Sequence, residues 1–260
     1  MPKHPTIHAL EYWAINYRRR WRGTVISGIL TPIVFMVGMG FGLGALVDTK
    51  ISGSGQIGGV DYVVFIAPGL LVWAAMQTAV GESTWPVTTA AFWERTYAAM
   101  IAAPLRVRDV FLGHLLWICV RITMVSTAFL LAGLLLGAIS SWSSLFALPA
   151  ALLTGIACAS VTMAFAVRQV SAVWYDAVFR VIVLPLFLFS GIFFPIEQMP
   201  ALLRPLAYAT PLWHGVELCR GLVIGHVEAG ALTVHVLYLF SLTALGLFLA
   251  VRSYQRVLTK

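Results

Sequence analysis

The chain has 260 residues, of which 60% are hydrophobic and 10% charged, with a formal net charge of +7 and a mean hydropathy of +0.90. Soluble proteins carry about 25% charged residues, so a soluble globular domain is excluded. The positive charge, which would suggest nucleic acid in a soluble protein, is explained here by where the arginines fall between apolar runs, and no nucleic-acid partner is expected.

Uncharged runs cover residues 24–47, 62–81, 122–167, 181–196 and 229–251. A helix needs about 20 apolar residues to cross a hydrocarbon core of about 30 Å. The run 122–167 is long enough for two spans, and the glycine- and serine-rich stretch 137–144 supplies a turn in its middle. Six transmembrane helices follow. A membrane β-barrel would instead show segments of about 10 residues with alternating polarity. The expected class is all-α and polytopic, in a single domain over 1–260.

In chain order, residues 5–22 place Ile7, Leu10, Trp13, Ala14, Tyr17 and Trp21 at helical spacing, with Glu11 and Arg18, Arg19 and Arg20 among them. This predicts an amphipathic helix at the membrane surface, its cations meeting anionic headgroups of membrane lipid. It acts as a simple positive-inside anchor or also touches a cytoplasmic partner. Span one, about 24–47, holds Gly38, Gly40, Gly42 and Gly44, two overlapping GxxxG pairs that allow close helix approach or reflect glycine enrichment of membrane helices. A Gly/Ser-rich loop over 48–60 leads to span two, about 62–84, with Pro68 inside and Asp61 and Glu82 at its ends. The main cytoplasmic excursion, 85–115, predicts a helix over 89–102 stopped by Pro104. Glu94 and Arg95 are central in it, with Phe92, Trp93, Tyr97, Met100 and Ile101 as apolar neighbours. It is either a plain connection or a docking lever.

Spans three (about 115–138) and four (about 146–167) share a short outer turn, and 168–180 is cytoplasmic. Span five, 181–196, has only 16 residues, about 24 Å of helix, and is expected to break at Pro195. The stretch from Phe187 to Gly221 then runs on as a proline-punctuated, half-apolar segment with Glu197, Arg204, His214, Glu217 and Arg220. Span six, about 229–251, precedes a basic tail. With the amino terminus inside, Lys3, Arg18, Arg19, Arg20, Arg22, Arg95, Arg106, Arg108, Arg168, Arg180, Arg252, Arg256 and Lys260 are cytoplasmic, and only Lys50, Arg204 and Arg220 are outside. The positive-inside rule then puts both termini in the cytoplasm and makes 205–224 a dip rather than a span. The first 22 residues predict no secretory signal, and Cys119, Cys158 and Cys219 are too few and scattered for a disulfide framework. Three lysines against fourteen arginines hint at a GC-rich bacterial source.

A P-loop needs Gly-Lys followed by Ser or Thr, and none of Lys3, Lys50 and Lys260 follows a glycine. No ATPase site is expected in this chain, which is read as not an enzyme, and no GxSxG elbow occurs. His4 and His8 lack a HExxH or Cys/His setting, so no metal site is expected. Arg121 is the one deep charge. It snorkels or pairs structurally, or takes part in transport. His235 is the only midplane candidate for proton coupling, which weakens a secondary-transporter reading.

The order FxSGxFFPxxxMPxxLRxxxxxxPLxHxVELxR is carried by Phe189, Ser190, Gly191, Phe193, Phe194, Pro195, Met199, Pro200, Leu203, Arg204, Pro211, His214, Glu217 and Arg220. With six spans and a cytoplasmic helix after span two, it resembles the ABC-2 family, the permease subunits of ATP-binding cassette exporters. The likeness covers essentially the whole chain and is greatest to the branch named for nodulation-factor (lipooligosaccharide) and daunorubicin-type drug exporters. The resemblance implies that 5–22 is an interface helix, with Trp13, Tyr17, Arg18 and Arg19 as its contacts. It implies that 89–103 is a coupling helix seated in a cleft of a cytoplasmic P-loop ATPase, with Phe92, Glu94, Arg95, Met100 and Pro104 at that contact. It also implies an outer-leaflet re-entrant helical hairpin over 196–225.

On the same resemblance, two permease subunits, identical or paralogous, work with two ATPases that bind ATP and Mg, in the bacterial inner membrane. The pathway then runs between spans two and five, with Pro68, Trp73, Met76, Gln77, Phe187 and Phe189 as candidate lining residues. A rich aromatic ladder is absent from these spans, so a lipid, glycolipid or drug is expected rather than a long polymer. His214, Glu217 and Arg220 either hold the hairpin internally or contact cargo. The alternative function is a secondary transporter or channel that needs no ATPase.

Overall fold

The computed structural model describes residues 4–19, 21–22, 30, 33–43, 56–57, 60–138, 142–171, 173–224 and 229–259. The protein is all-α apart from a two-residue antiparallel pairing of β1 (Gln56–Ile57) with β2 (Val60–Asp61), in the register Gln56↔Asp61. Among the described residues, the α-helices include α1 (Pro5–Arg18), α2 (Tyr62–Ser83), α3 (Trp85–Thr88), α4 (Thr96–Ala102), α5 (Val107–Leu135), α6 (Ala147–Ala166), α7 (Val173–Val178), α8 (Leu184–Phe189), α9 (Arg204–Tyr208), α10 (Pro211–Ile224) and α11 (Ala229–Leu258). Half of the expected first span, with Gly44, and most of the loop after it lie outside the described residues. Within the described part of that span, Met36–Leu43 is π-helical.

Among the described residues, four helical stretches are long and apolar enough to cross a membrane: Tyr62–Trp93, Val107–Leu135, Ser144–Ala166 and Gly230–Leu258. They match the expected spans two, three, four and six. The protein is therefore a multi-pass α-helical membrane protein.

The bundle closes around α6. Its buried positions are mostly small: Ala147, Ala150, Ala151, Thr154, Gly155, Ala157, Cys158, Ala159 and Ser160. Without a hydrophobic drive between helices in lipid, small residues are what let backbones approach. The packing shows it from several sides, because α2, α5, α10 and α11 all lie against α6. Ile122 of α5 lies where a Cβ on Gly155 would be 2.7 Å away, and a Cβ on Gly215 of α10 would come within 2.4 Å of Thr154.

Two expectations need correction. The helix expected over 89–102 is not continuous. Thr89–Trp93 is wound as a π-turn, the Glu94 N–H closes on the Thr89 carbonyl at 2.8 Å, and Arg95 takes a left-handed φ of 51° before α4 starts at Thr96. Left-handed backbone is uncommon outside glycine and stops a helix locally.

The helix of span five does not start at 181 or break at Pro195. It runs from α7 through the π-turn Phe179–Val183 to α8 and ends at Phe189, where Ser190 Oγ donates to the Phe187 carbonyl at 3.3 Å and Gly191 turns with φ 76°. A glycine in that region just after the last helical turn is a helix stop in itself, so the proline is not needed.

The face of α1 that packs on the bundle is narrower than its apolar run: Thr6, Ala9 and Trp13 are buried, whereas Ile7 is 41% exposed and Trp21, beyond the end of α1, 47%. Packing on α5, rather than the apolar period alone, decides which face is covered.

Candidate functional site

α1 lies along the first half of α5, in the same direction, with contacts on every turn. Thr6 Oγ1 donates to Asp109 Oδ1 at 3.1 Å, and Asp109 in turn caps the helix by accepting from the Arg106 N–H at 3.1 Å. One turn on, α1 approaches so closely that a Cβ on Gly113 would meet the Ala9 methyl at 2.4 Å. Trp13 stacks on His114 with ring centroids 3.9 Å apart, and Tyr17 packs against Trp117 at 5.2 Å. Arg18 and Arg19, the expected interface cations, are exposed.

This ladder ends on Arg121, which is 5% exposed. Its Nε donates to Glu82 Oε1 at 2.9 Å, its Nη1 donates to the Tyr17 hydroxyl at 2.8 Å, and its guanidinium lies 4.6 Å from the Tyr17 ring centre. Arg121 is thus paired rather than a bare charge. α1, α2 and α5 meet here around a cavity of about 420 Å³, lined among others by Asn16, Tyr17, Glu82, Trp85, Trp117 and Arg121.

The segment after α2 is fixed from behind and open in front. Thr88 Oγ1 reaches the carbonyls of Ala166 and Gln169, each at 3.2 Å, and also the Tyr175 hydroxyl. Tyr97 of α4 is fully buried, its hydroxyl 2.5 Å from His114 Nδ1 and 3.2 Å from the Tyr254 hydroxyl. Between these anchors Trp93, Glu94 and Arg95 are exposed, as is Pro104, while Phe92 and Met100 are half-buried. Trp93 stands edge-on to Trp85 at 4.8 Å. Of the expected coupling residues, Glu94 and Arg95 thus stand outward at the break, Pro104 is exposed beyond it, and Phe92 and Met100 pack partly inward.

The far end of α2 carries a second arginine cluster. Arg220 Nη1 donates to Glu217 Oε1 at 2.5 Å and Nη2 to the Gly191 carbonyl at 2.7 Å. Its Nε makes a long contact of 3.5 Å with the Phe65 carbonyl, and its guanidinium covers the Phe65 ring at 4.0 Å. One side chain therefore joins α10, the turn after α8 and the start of α2. Burial pushes the Glu217 carboxyl above its ordinary range, with the Arg220 charge pulling the other way.

Arg204 ties the intervening loop by donating to the Met199 carbonyl at 2.9 Å and the Glu197 carbonyl at 2.6 Å. Ile196, Met199 and Ala207 form a small apolar cluster there, against which Phe189, Phe194 and Trp213 pack. Pro195 is half-buried, Pro200 exposed and Pro211 half-buried at the first position of α10. His214 stands apart from the Glu217–Arg220 pair. Its Nδ1 is 2.8 Å from Nδ1 of His235 on α11, and its ring stacks on Tyr238 at 3.8 Å. Burial, with His235 second, lowers His214 to about 4.

The expected lining residues separate. Trp73 stacks on Phe187 at 4.2 Å and Phe187 meets Phe193 edge-on at 4.9 Å. Met76 is 2% exposed inside the bundle, Gln77 is exposed, and Phe189 belongs to the loop cluster. Sequence reasoning missed Tyr97, His114 and Tyr254 as a buried polar knot. It also missed that Glu82 faces Arg121, although those two are opposite charges at the ends of apolar runs. Among the described residues no three His, Cys, Asp or Glu side chains gather at one point.

The family described as ABC-2 type transporter matches residues 10–224. The chain is 32% identical over 255 residues to a Nodulation protein J of Sinorhizobium fredii, covering 95% of this chain and 92% of that protein. It is 28% identical over 248 residues to a Nodulation protein J of Rhizobium leguminosarum bv. trifolii, covering 92% of each. It is also 28% identical over 254 residues to a Nodulation protein J of Bradyrhizobium diazoefficiens, covering 95% of this chain and 93% of that protein.

Proposed function

The chain belongs to the ABC-2 type transporter family, and on that premise we propose that it forms the translocation pathway of an exporter for an amphiphilic substrate: a lipid, a glycolipid or lipooligosaccharide, or a drug. The family is a membrane transport component that works with an ATPase and is not itself the ATPase. Two copies of a cytoplasmic P-loop subunit bind ATP and Mg, and a second permease, identical or paralogous, completes the pathway. Both termini lie in the cytoplasm of a bacterial inner membrane. The segment 5–22 is the interface helix, 89–103 the coupling segment, and 196–225 the outer hairpin, of which residue 225 lies outside the described residues.

The observation that carries this reading is the likeness over nearly the whole chain, coupled to a segment built as a lever. Tyr97 and Thr88 lock 85–102 to α5, α6, α7 and α11, while Glu94 and Arg95 stay exposed at its break. A partner that pushes on Glu94 and Arg95 moves buried groups on several helices. ATP binding then shifts the population of two transmembrane arrangements, provided that ATP binds one of them more tightly. The exposed side of Trp73 and Phe187 offers the pathway an apolar wall.

Co-purification with the ATPase subunit tests the reading. Glu94→Arg is expected to leave membrane insertion intact and to uncouple ATP hydrolysis from export. Wild-type coupling in that variant removes Glu94 from the contact.

A further inference from the structure

The cavity between α1, α2 and α5 shares none of the lining residues named for the pathway, and its chemistry is specific. At about 420 Å³ it falls within the range of about 300–1,000 Å³ seen for small-molecule sites. A guanidinium has five N–H donors. Among the described residues Arg121 places two of them, on Glu82 and Tyr17, and the side chain also lines the cavity. Only Oε1 of Glu82 is engaged, which leaves its second oxygen as an acceptor beside those donors. Asn16 adds a side-chain amide with both donor and acceptor character.

The charge in the cavity balances. A bare anion drawn to Arg121 would meet Glu82, and a bare cation drawn to Glu82 would meet Arg121. A neutral group that both donates and accepts hydrogen bonds suits the pair. The walls are aromatic: Tyr17 and Trp117 pack together, and Trp85 is 50% exposed. Aromatic faces cover C–H surfaces while the polar edges stay hydrogen-bonded. Ile7, Ile15 and Trp21 are exposed on the segment that forms one wall, an apolar exterior that fits lipid contact.

We propose that this cavity binds the neutral, hydroxyl-rich headgroup of a membrane amphiphile. A sugar ring lies against Trp85 with its hydroxyls on Arg121, Glu82 and Asn16, and its acyl chains stay in lipid. That the ligand is a membrane amphiphile rests on the exporter reading. The test uses the full-length permease alone, without ATP or partner, in a polyoxyethylene detergent that carries no sugar. Equal amounts of glucosyl-diacylglycerol, diacylglycerol, phosphatidylglycerol and phosphatidylcholine are offered, and native mass spectrometry reads the retained lipid.

The expected result is retention of the glucosyl lipid over diacylglycerol by about tenfold, the ratio one charge-assisted hydrogen bond supplies. Trp85→Ala and Asn16→Leu are expected to bring that ratio near parity with the melting temperature of the protein unchanged. Parity in the wild type, preference for either phospholipid, or a preference that survives both substitutions overturns the site. ATP-driven export that persists with parity here removes the site alone. A sugar preference in a complex whose ATPase ignores every amphiphile removes the exporter reading and leaves the site.

Discussion

Phe65 and Glu82 lie 17 positions apart on α2, about 26 Å along its axis, and each meets a buried arginine that is used differently. Arg220 is enclosed: a carboxylate, two backbone carbonyls and an aromatic face surround it, and it joins three segments of chain. Arg121 has one carboxylate and one phenol, and it borders a cavity. What encloses each guanidinium separates them. An arginine bound to several segments of chain holds the fold, and one that borders open space can take a ligand.

The largest effect is expected at the Arg220 end. Arg220→Ala leaves the Gly191 and Phe65 carbonyls and Glu217 without their donor and is expected to cost about 3 kcal/mol, read as a lowered thermal midpoint. A loss no larger than that of a surface substitution would erase the contrast. Glu82→Gln is next, at about 2 kcal/mol, because it removes a charged acceptor from Arg121. It also leaves the cavity net positive, so lipid retention should turn toward phosphatidylglycerol. Unchanged headgroup preference would show that charge balance is not what the cavity reads.

His214 gives a smaller, pH-dependent term. Its value is lowered to about 4 from an ordinary 6.5, so the group is held neutral in the fold. Stability is then complete above pH 6.5 and is lost as the pH falls from 6.5 toward 4. His214→Asn should flatten that fall in thermal midpoint, and an equally steep fall in the variant would place the titrating group elsewhere. The smallest effect belongs to Glu217→Gln, within about 1 kcal/mol, because burial already disfavours its charge and Arg220 keeps its carbonyls.

The spans were legible because bilayer thickness writes itself into run length, as in Val107–Leu135 and Gly230–Leu258. The serine and glycine at 190–191 were quoted in the motif, yet the helix stop was assigned to Pro195. Proline is the louder signal, whereas a left-handed glycine leaves no periodicity behind. Arg95 is harder still, since nothing in a sequence marks a non-glycine residue that turns left-handed.

Pairings across long separations, Glu82 with Arg121 and His214 with His235, were not legible because helical periodicity gives a face and not its neighbour. The face of α1 shows the same limit. Thr6 is covered and Ile7 is not, because Gly113 on α5 leaves room for the Ala9 turn.

The most direct measurement is movement of a fluorescently labelled glycolipid across proteoliposomes containing the permease and its ATPase partner. The expected result is movement that requires ATP, both proteins and an intact Glu94. Movement by the permease alone, driven by an ion gradient with no ATPase present, would contradict it.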